Sequence, residues 1–372
     1  MFRQYKFRYY DFKLIVFVTL LSLIGYLAIG SAKESVQSKQ MYGIIIGFIL
    51  MIILSLIDYS HYLFLYWLFY IANIILLGSV LVFGRDVNGA TRWIVLAGLQ
   101  FQPSELAKIL LILFFSQFIM KHRDKINSPM ILISAVLLLI LPLGLIYLEP
   151  DLSTSIMIVL TFFIMLFVGG LSFKFVGTVL AIVVPVLVGF FTIILSPGGI
   201  DLIPENFKYQ IRRILAWLEP EKYADTTAYQ QINSKIAIGS GQLYGKGLDN
   251  NVIASVKNGN FISEPQTDFI FAVIGEELGF IGGFTVVLLF FLVVWECFKI
   301  ARNAKDLSGT IIASGVGGLI GVQSFLNIAV ATGLAPNTGI PLPFVSYGLT
   351  SLVCLFAAIG IVLNIGLQQK KY

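Results

Sequence analysis

The stretch "TDFIFAVIGEELGF", residues 267–280, sets three carboxylates, Asp268, Glu276 and Glu277, in an otherwise uncharged run. A carboxylate in such a run can take a proton as a general base, pair with a cation, or fix a helix by accepting hydrogen bonds. Other ionisable residues stand at comparable places. Glu105 and Lys108 in "FQPSELAKI" are spaced i, i+3 and share a helical face, so they can pair. Glu149 and Asp151 fall in "EPDLSTS", Arg85, Asp86, Arg92 and Trp93 in "GRDVNGATRWIVL", Arg212 and Arg213 in "NFKYQIRRILAWLEP", and Lys246 in "AIGSGQLYGKGL". Each also has a plainer use. Thr267 or Asp268 can cap a helix, Glu105 and Lys108 can form a structural ion pair, and Arg212 and Arg213 can snorkel to lipid phosphates. Glu276 and Glu277 lie about 100° apart around a helix and cannot share one partner surface.

The elements that carry these residues are set by composition. Of 372 residues, 58% are hydrophobic and 12% charged, half the charge of an ordinary soluble domain. The reading is an all-α polytopic membrane protein in which residues 1–372 form one integral membrane domain. Apolar spans long enough to cross about 30 Å of hydrocarbon are predicted near 14–30, 41–57, 63–83, 104–120, 130–148, 152–169, 175–196, 269–298, 309–330 and 350–367, ten in all. The first, which follows a basic start, reads as a transmembrane helix and not a cleaved signal. Arg3, Lys6, Arg8 and Lys13, then Lys121, Arg123, Lys125, Lys174, Lys299, Arg302, Lys305, Lys370 and Lys371 fall on one side; Lys33, Lys39, Arg85 and Arg92 fall in the short loops of the other. That bias places both termini in the cytoplasm. It also makes residues 197–268 one large extracytoplasmic loop, in which Phe207, Ile211, Ile214, Leu215 and Leu218 mark an amphipathic helix on the outer membrane face. Cys297 and Cys354 sit in apolar runs and read as packing, not as a disulfide; His61 and His122 alone give a histidine zinc site little to work with. Ser240 and Gly247 stand where a phosphate loop needs Gly and Ser or Thr, so the glycine-rich stretch reads as a tight turn near the membrane.

Most of the ionisable residues gather at the outer end. A transport path would spread them across the midplane, so their distribution favours a reaction on something presented at one water face.

The stretches "VNGATRWI", "FQPSELAK", "EPDLST", "AYQQINSKIAIGSGQLYGKGL", "TDFIFAVIGEELGFIGG" and "TGLAPNTGIPLPFVSYG", in this order and over nearly the whole chain, resemble the signatures of the SEDS proteins (shape, elongation, division and sporulation), the RodA, FtsW and SpoVE group. The chain departs from that pattern at Gln266, where the family often has His, at Ser153 in "PDLST" and at Leu349 in "SYGLTS". The resemblance implies a ten-helix peptidoglycan polymerase of the bacterial cytoplasmic (inner) membrane, with "GIPLPF" leaning toward the RodA-like branch. Such an enzyme joins lipid II, an undecaprenyl-pyrophosphate-linked disaccharide-peptide, into glycan strands on the outer face, alongside a class B penicillin-binding protein that crosslinks them. Membrane lipids surround it, and nucleic acid is not among its partners. A lipid II flippase and a non-catalytic scaffold for the transpeptidase are the rival functions.

The resemblance also assigns roles. Asp268 stands at the family's catalytic aspartate, Trp93 at its tryptophan and Asp151 at the aspartate of its PDxxT motif. Inverting transfer needs one carboxylate as base on the attacking hydroxyl and no covalent nucleophile, which makes Asp268 the expected base. Trp93, Arg92, Asp151, Lys108, Glu105, Arg212, Arg213 and Lys246 are the expected substrate-binding residues. Basic side chains, or a divalent cation (Mg or Mn), would balance the leaving pyrophosphate.

Overall fold

In the computed structural model, residues 7–87, 90–96, 99–194, 196, 205–249, 255 and 261–368 are described. Arg3, Lys6, Lys370 and Lys371, four of the charges in the orientation argument, lie outside them, as do parts of the 197–268 loop. Helices α1 (Phe12–Ala32) and α2 (Glu34–Leu56) follow with only Lys33 between them, so α2 begins seven residues before the expected 41. Asp11 starts α1 by accepting from the Leu14 amide at 3.1 Å. The third expected span is two helices, α3 (Tyr59–Phe64) and α4 (Tyr66–Phe83), parted at Leu65. Strands β1 (Arg85–Val87), β2 (Ala90–Leu96) and β3 (Leu99–Phe101) come next. Then follow α5 (Pro103–Lys121), α6 (Pro129–Leu148), α7 (Leu152–Val168), α8 (Phe173–Ile194), α9 (Glu205–Leu218), α10 (Tyr229–Ser240), α11 (Ile270–Glu277), α12 (Gly279–Asn303), α13 (Leu307–Thr332) and α14 (Leu349–Leu367). Among the described residues, nine helices have the length and apolarity to cross a membrane, and the 17-residue α7 is a shorter apolar helix where the sixth span was expected.

The helical fold class is the expected one, with a small sheet added to it. The strands pair antiparallel in the order β1-β2-β3, with Arg85 opposite Trp93 and Ile94 opposite Phe101. The sheet is tied to the start of α14: the Thr350 hydroxyl donates to the Gln100 carbonyl at 3.2 Å and accepts from the Gln102 amide at 3.3 Å. This gives that end of the bundle a hydrogen-bonded wall where a loop was expected.

The eighth span, expected as one helix over 269–298, is broken between α11 and α12. Gly279 has φ +65°, which L side chains adopt only at a cost, and the turn after α10 docks there through its backbone. The Lys246 amide donates to the Glu276 carbonyl at 3.0 Å and the Phe280 amide to the Gln242 carbonyl at 2.8 Å. A Cβ at Gly241 would run into the Gly275 carbonyl, so the glycine is there for close approach of two main chains.

Helices α5, α13 and α14 form the centre, with about three-quarters of each membrane stretch buried. The most extensive helix pairing joins the ends of the chain, α2 to α14. Gly47 lets the Phe356 ring lie against α2, Gln40 donates to the Ser346 carbonyl at 3.3 Å, and Asn364 donates to the Ser55 carbonyl at 2.9 Å. In lipid, where apolar surface gives helices no preference for one another, small residues and amides of this kind specify which helices meet.

Candidate active site at one end of the bundle

Segment 333–348, between α13 and α14, is the floor of the site. Gly333 ends α13 in the left-handed region, φ +81°, the usual way a helix is stopped. From there the chain is fastened by side chains from most of the surrounding helices. Gln231 on α10 donates to the carbonyls of Val330 and Ala335 at 2.8 and 2.7 Å, and Ser234 donates to Ala331 at 2.8 Å. Trp217 and Arg213 on α9 donate to the carbonyls of Gly333 and Asn337 at 2.9 and 3.2 Å. Ser153 at the start of α7 donates to the Thr338 carbonyl. The serine that departs from the family's glycine therefore makes a bond that glycine could not.

Two amides on α13 finish the work from below. Gln323 donates to the Pro341 carbonyl at 2.9 Å and receives Lys108 at 3.4 Å, while Lys108 pairs with Glu105 at 2.9 Å, both ends buried. Asn327 donates to the Ile340 carbonyl at 2.7 Å and to the backbone carbonyl of Asp268 at 2.9 Å. One amide thus locks the aspartate's main chain to the floor. Ser346 adds a second clasp by donating to the Thr267 carbonyl at 2.6 Å.

Asp268 does not cap α11, whose N-cap is Phe269 with no side-chain cap bond. Its carboxylate is half-buried and faces Gly339 (φ +69°): Oδ2 lies 3.3 Å from where a Cβ on that glycine would stand, and Arg213 Nη1 lies 3.9 Å from the same point. Aspartate and arginine therefore flank a residue that has no side chain to separate them. Burial pushes the Asp268 carboxyl above the ordinary carboxylate range, Arg213 pulls it back, Glu264 adds to the rise, and Arg92 opposes it.

Arg92 reaches the site from β2. Its Nε donates to the Glu149 carbonyl at 3.2 Å and a terminal nitrogen donates to the Pro150 carbonyl. Trp93 is half-buried on the same strand. Asp151 is the N-cap of α7, accepting from the Thr154 amide at 3.2 Å, the Thr154 hydroxyl at 2.9 Å and the Gln102 amide at 3.3 Å.

The structure thus sets Asp268 and Arg213 across Gly339, with Arg92 near enough to act on Asp268 electrostatically, and ties Glu105 and Lys108 to the same floor through Gln323. Two expected residues stand apart. Arg212 is exposed, because the next position along α9 faces about 100° away from Arg213. Lys246 pairs with Glu276 at 2.6 Å, which spends its charge on fixing the turn to α11. Glu277 accepts from Ser31 on α1, so the glutamate pair holds α11 to two different neighbours, as its angular separation requires. Gln323, Asn327 and Gly339 were missed. The two amides sit i, i+4 in an apolar span, and that spacing on one face was the available signal. Among the described residues no group of three or more His, Cys, Asp or Glu side chains stands together to hold a metal.

Residues 6–371 match the family model described as a cell cycle protein, FtsW/RodA/SpoVE. The chain is similar to a probable peptidoglycan glycosyltransferase FtsW of Geobacter sulfurreducens, 33% identical over 97% of this chain and 96% of that protein. It is as similar to the peptidoglycan glycosyltransferase MrdB of Escherichia coli, 35% identical over 94% of this chain and 92% of the other. Among solved structures it superposes on a chain of a peptidoglycan synthase complex that coordinates polymerization and crosslinking, with TM-score 0.76, 29% identity and coverage of 96% and 97%. FtsW and MrdB stand at near-equal identity, so the likeness reports the family and not one branch. On these grounds the chain belongs to the FtsW/RodA/SpoVE family.

Proposed function

We infer that the chain is a peptidoglycan glycosyltransferase, and we propose that Asp268 is its general base on lipid II. The carrying observation is the placement of the half-buried Asp268 carboxylate across Gly339 from Arg213. A sugar hydroxyl of one lipid II attacks the anomeric carbon of another chain. Asp268 takes the hydroxyl proton as the new bond forms, and undecaprenyl pyrophosphate departs from the opposite face with inversion. Arg213 and Arg92 supply positive charge to the diphosphate and hold Asp268 toward its ionised form. A base must be deprotonated to act, so activity rises with pH through the raised Asp268 pKa. The rigid clasp of Asn327 and Ser346 on the aspartate's main chain supports the same reading, because a base is effective only within hydrogen-bond reach of its proton.

The reaction face is the outer one, both termini are cytoplasmic, and the protein is a multi-pass protein of the bacterial cytoplasmic membrane. A class B penicillin-binding protein is its partner, consistent with the crosslinking function of the complex that the chain resembles. The test is polymerisation of lipid II by the purified protein with its transpeptidase, wild type against Asp268→Asn. Glycan strands from wild type, and a loss of about 10²–10⁴ in rate for a variant that still folds and binds its partner, are expected. Equal rates would move the base elsewhere. No strands from wild type, with lipid II crossing proteoliposome membranes, would replace the polymerase with a flippase; retained partner binding with neither activity would leave a scaffold.

A further inference from the structure

Glu149 closes α6, and its carboxyl is fully buried, with neither oxygen in a hydrogen bond among the described residues. The groups that face it are few. Asp151 shares its corner; among the described residues, Arg92, which approaches from β2, is the only cation that acts on it. Yet Arg92 donates to the main-chain carbonyls of Glu149 and Pro150, not to the carboxyl, and among the described residues it forms no ion pair. A buried carboxylate beside a second carboxylate, with no donor of its own, is an expensive arrangement. A neutral carboxyl there costs far less. The arrangement also leaves the Arg92 charge undivided, within electrostatic range of Asp268.

We propose that Glu149 is a positioning residue of the Asp268 site, neutral when the site works and acting through Arg92. When Glu149 loses its proton, the carboxylate becomes the nearest anion to Arg92 and takes a share of its charge. Arg92 then turns from its two carbonyls and from the diphosphate it would otherwise balance. Burial first, and Asp151 second, lift the Glu149 carboxyl to about 8 against the pull of Arg92. Protonation thus persists through neutral pH and is lost just above it.

The inference rests on the polymerase reading, and its test has one arm that does not. Lipid II polymerisation is followed from neutral to strongly alkaline pH for wild type and Glu149→Gln, each normalised to its own neutral rate. Wild type should lose activity as pH passes about 8, by roughly tenfold one unit beyond the midpoint. Glu149→Gln, which cannot ionise, should keep its normalised rate over the same range. Arg92→Gln should lose the alkaline limb as well, at a lower rate throughout, because the limb operates through Arg92. Superimposable normalised profiles for wild type and Glu149→Gln would overturn the inference. The second arm is infrared spectroscopy of the folded protein in detergent at neutral pH. A carbonyl band of a protonated carboxyl should be present in wild type and Asp268→Asn and reduced in Glu149→Gln; an unchanged band overturns the inference whatever the polymerisation assay gives. Wild type without strands at any pH would overturn the polymerase reading, and with it the role given to Glu149 here.

Discussion

Helices α8 and α13 both have the length to cross a membrane, and α8 is the more apolar of the two. Only 6% of its best membrane stretch is buried, against 72% for α13. The difference follows from what each carries. Along α13, Ser314, Gln323, Ser324 and Asn327 are buried beside a run of glycines, and the amides reach out to the segment that floors the site. Along α8, side chains such as Leu180, Ile182, Val186 and Val188 are exposed. Its end is tied to the site only indirectly: Ile194 packs with Ile211 and Leu215 of α9, which in turn presents Arg213 and Trp217 to segment 333–348. Apolarity in a membrane therefore marks the helix that faces lipid, whereas buried amides and small residues mark the helix that builds the interior. One helix holds the site in place; the other carries a limb that completes it.

The widest gap between the two regions should appear on removing the central cation. Lys108→Met leaves Glu105 buried without its counter-ion and Gln323 without its donor. A loss of about 3–5 kcal/mol is expected, whereas Val186→Ala on α8 should stay within about 0.5 kcal/mol; thermal unfolding in detergent compares them directly. Similar melting shifts for the two would dissolve the distinction. A smaller effect is expected for Asn327→Leu, which strands the carbonyls of Asp268 and Ile340 at about 1–3 kcal/mol for each buried group left unpaired. Here polymerisation should fall by more than the stability change accounts for, since the aspartate's main chain is released. Normal turnover at a temperature where the variant is fully folded would show that the clasp is only structural.

The subtlest comparison lies within the limb. Arg213 holds the Asp268 pKa down, so Arg213→Gln should let it rise further and move the acid limb of the rate profile to higher pH. Exposed Arg212, one residue away, should give no such movement in Arg212→Gln. Equal displacement by both would mean that α9 acts by net charge and not through the contact of Arg213 with the floor.

The helices were legible because hydrocarbon imposes a length and an apolarity that few sequences meet by chance. The break at Gly279 was not, since the main chain of Leu243 and Gly245 lies against it, and hydropathy carries no trace of a backbone neighbour. The sheet had a local signal that went unused: Val87 pairs with Ala90, and the two residues between them read Asn-Gly, the pair that most favours a tight hairpin. Within the site, Asp268 and Arg213 were visible as charges in an apolar context. Gln323 and Asn327 do the fastening but are neutral amides, which carry no charge to mark them in an apolar span. Lys246 shows the converse: a cation of the right kind and on the right segment, spent on Glu276 by an arrangement that only the fold discloses.

The pairing of α2 with α14 has a consequence for the order of events at the ribosome. The partners are joined across some 300 residues of chain, as the bonds from Gln40 to Ser346 and from Asn364 to Ser55 show. Helix α2 enters the membrane early and waits there, its small-residue face open, until the final span is synthesised. Contacts of this separation are the last to be rewarded and the longest exposed to wrong partners. A chain stopped before Leu349 would hold nearly every residue of the site and still present an unclosed seam along α2.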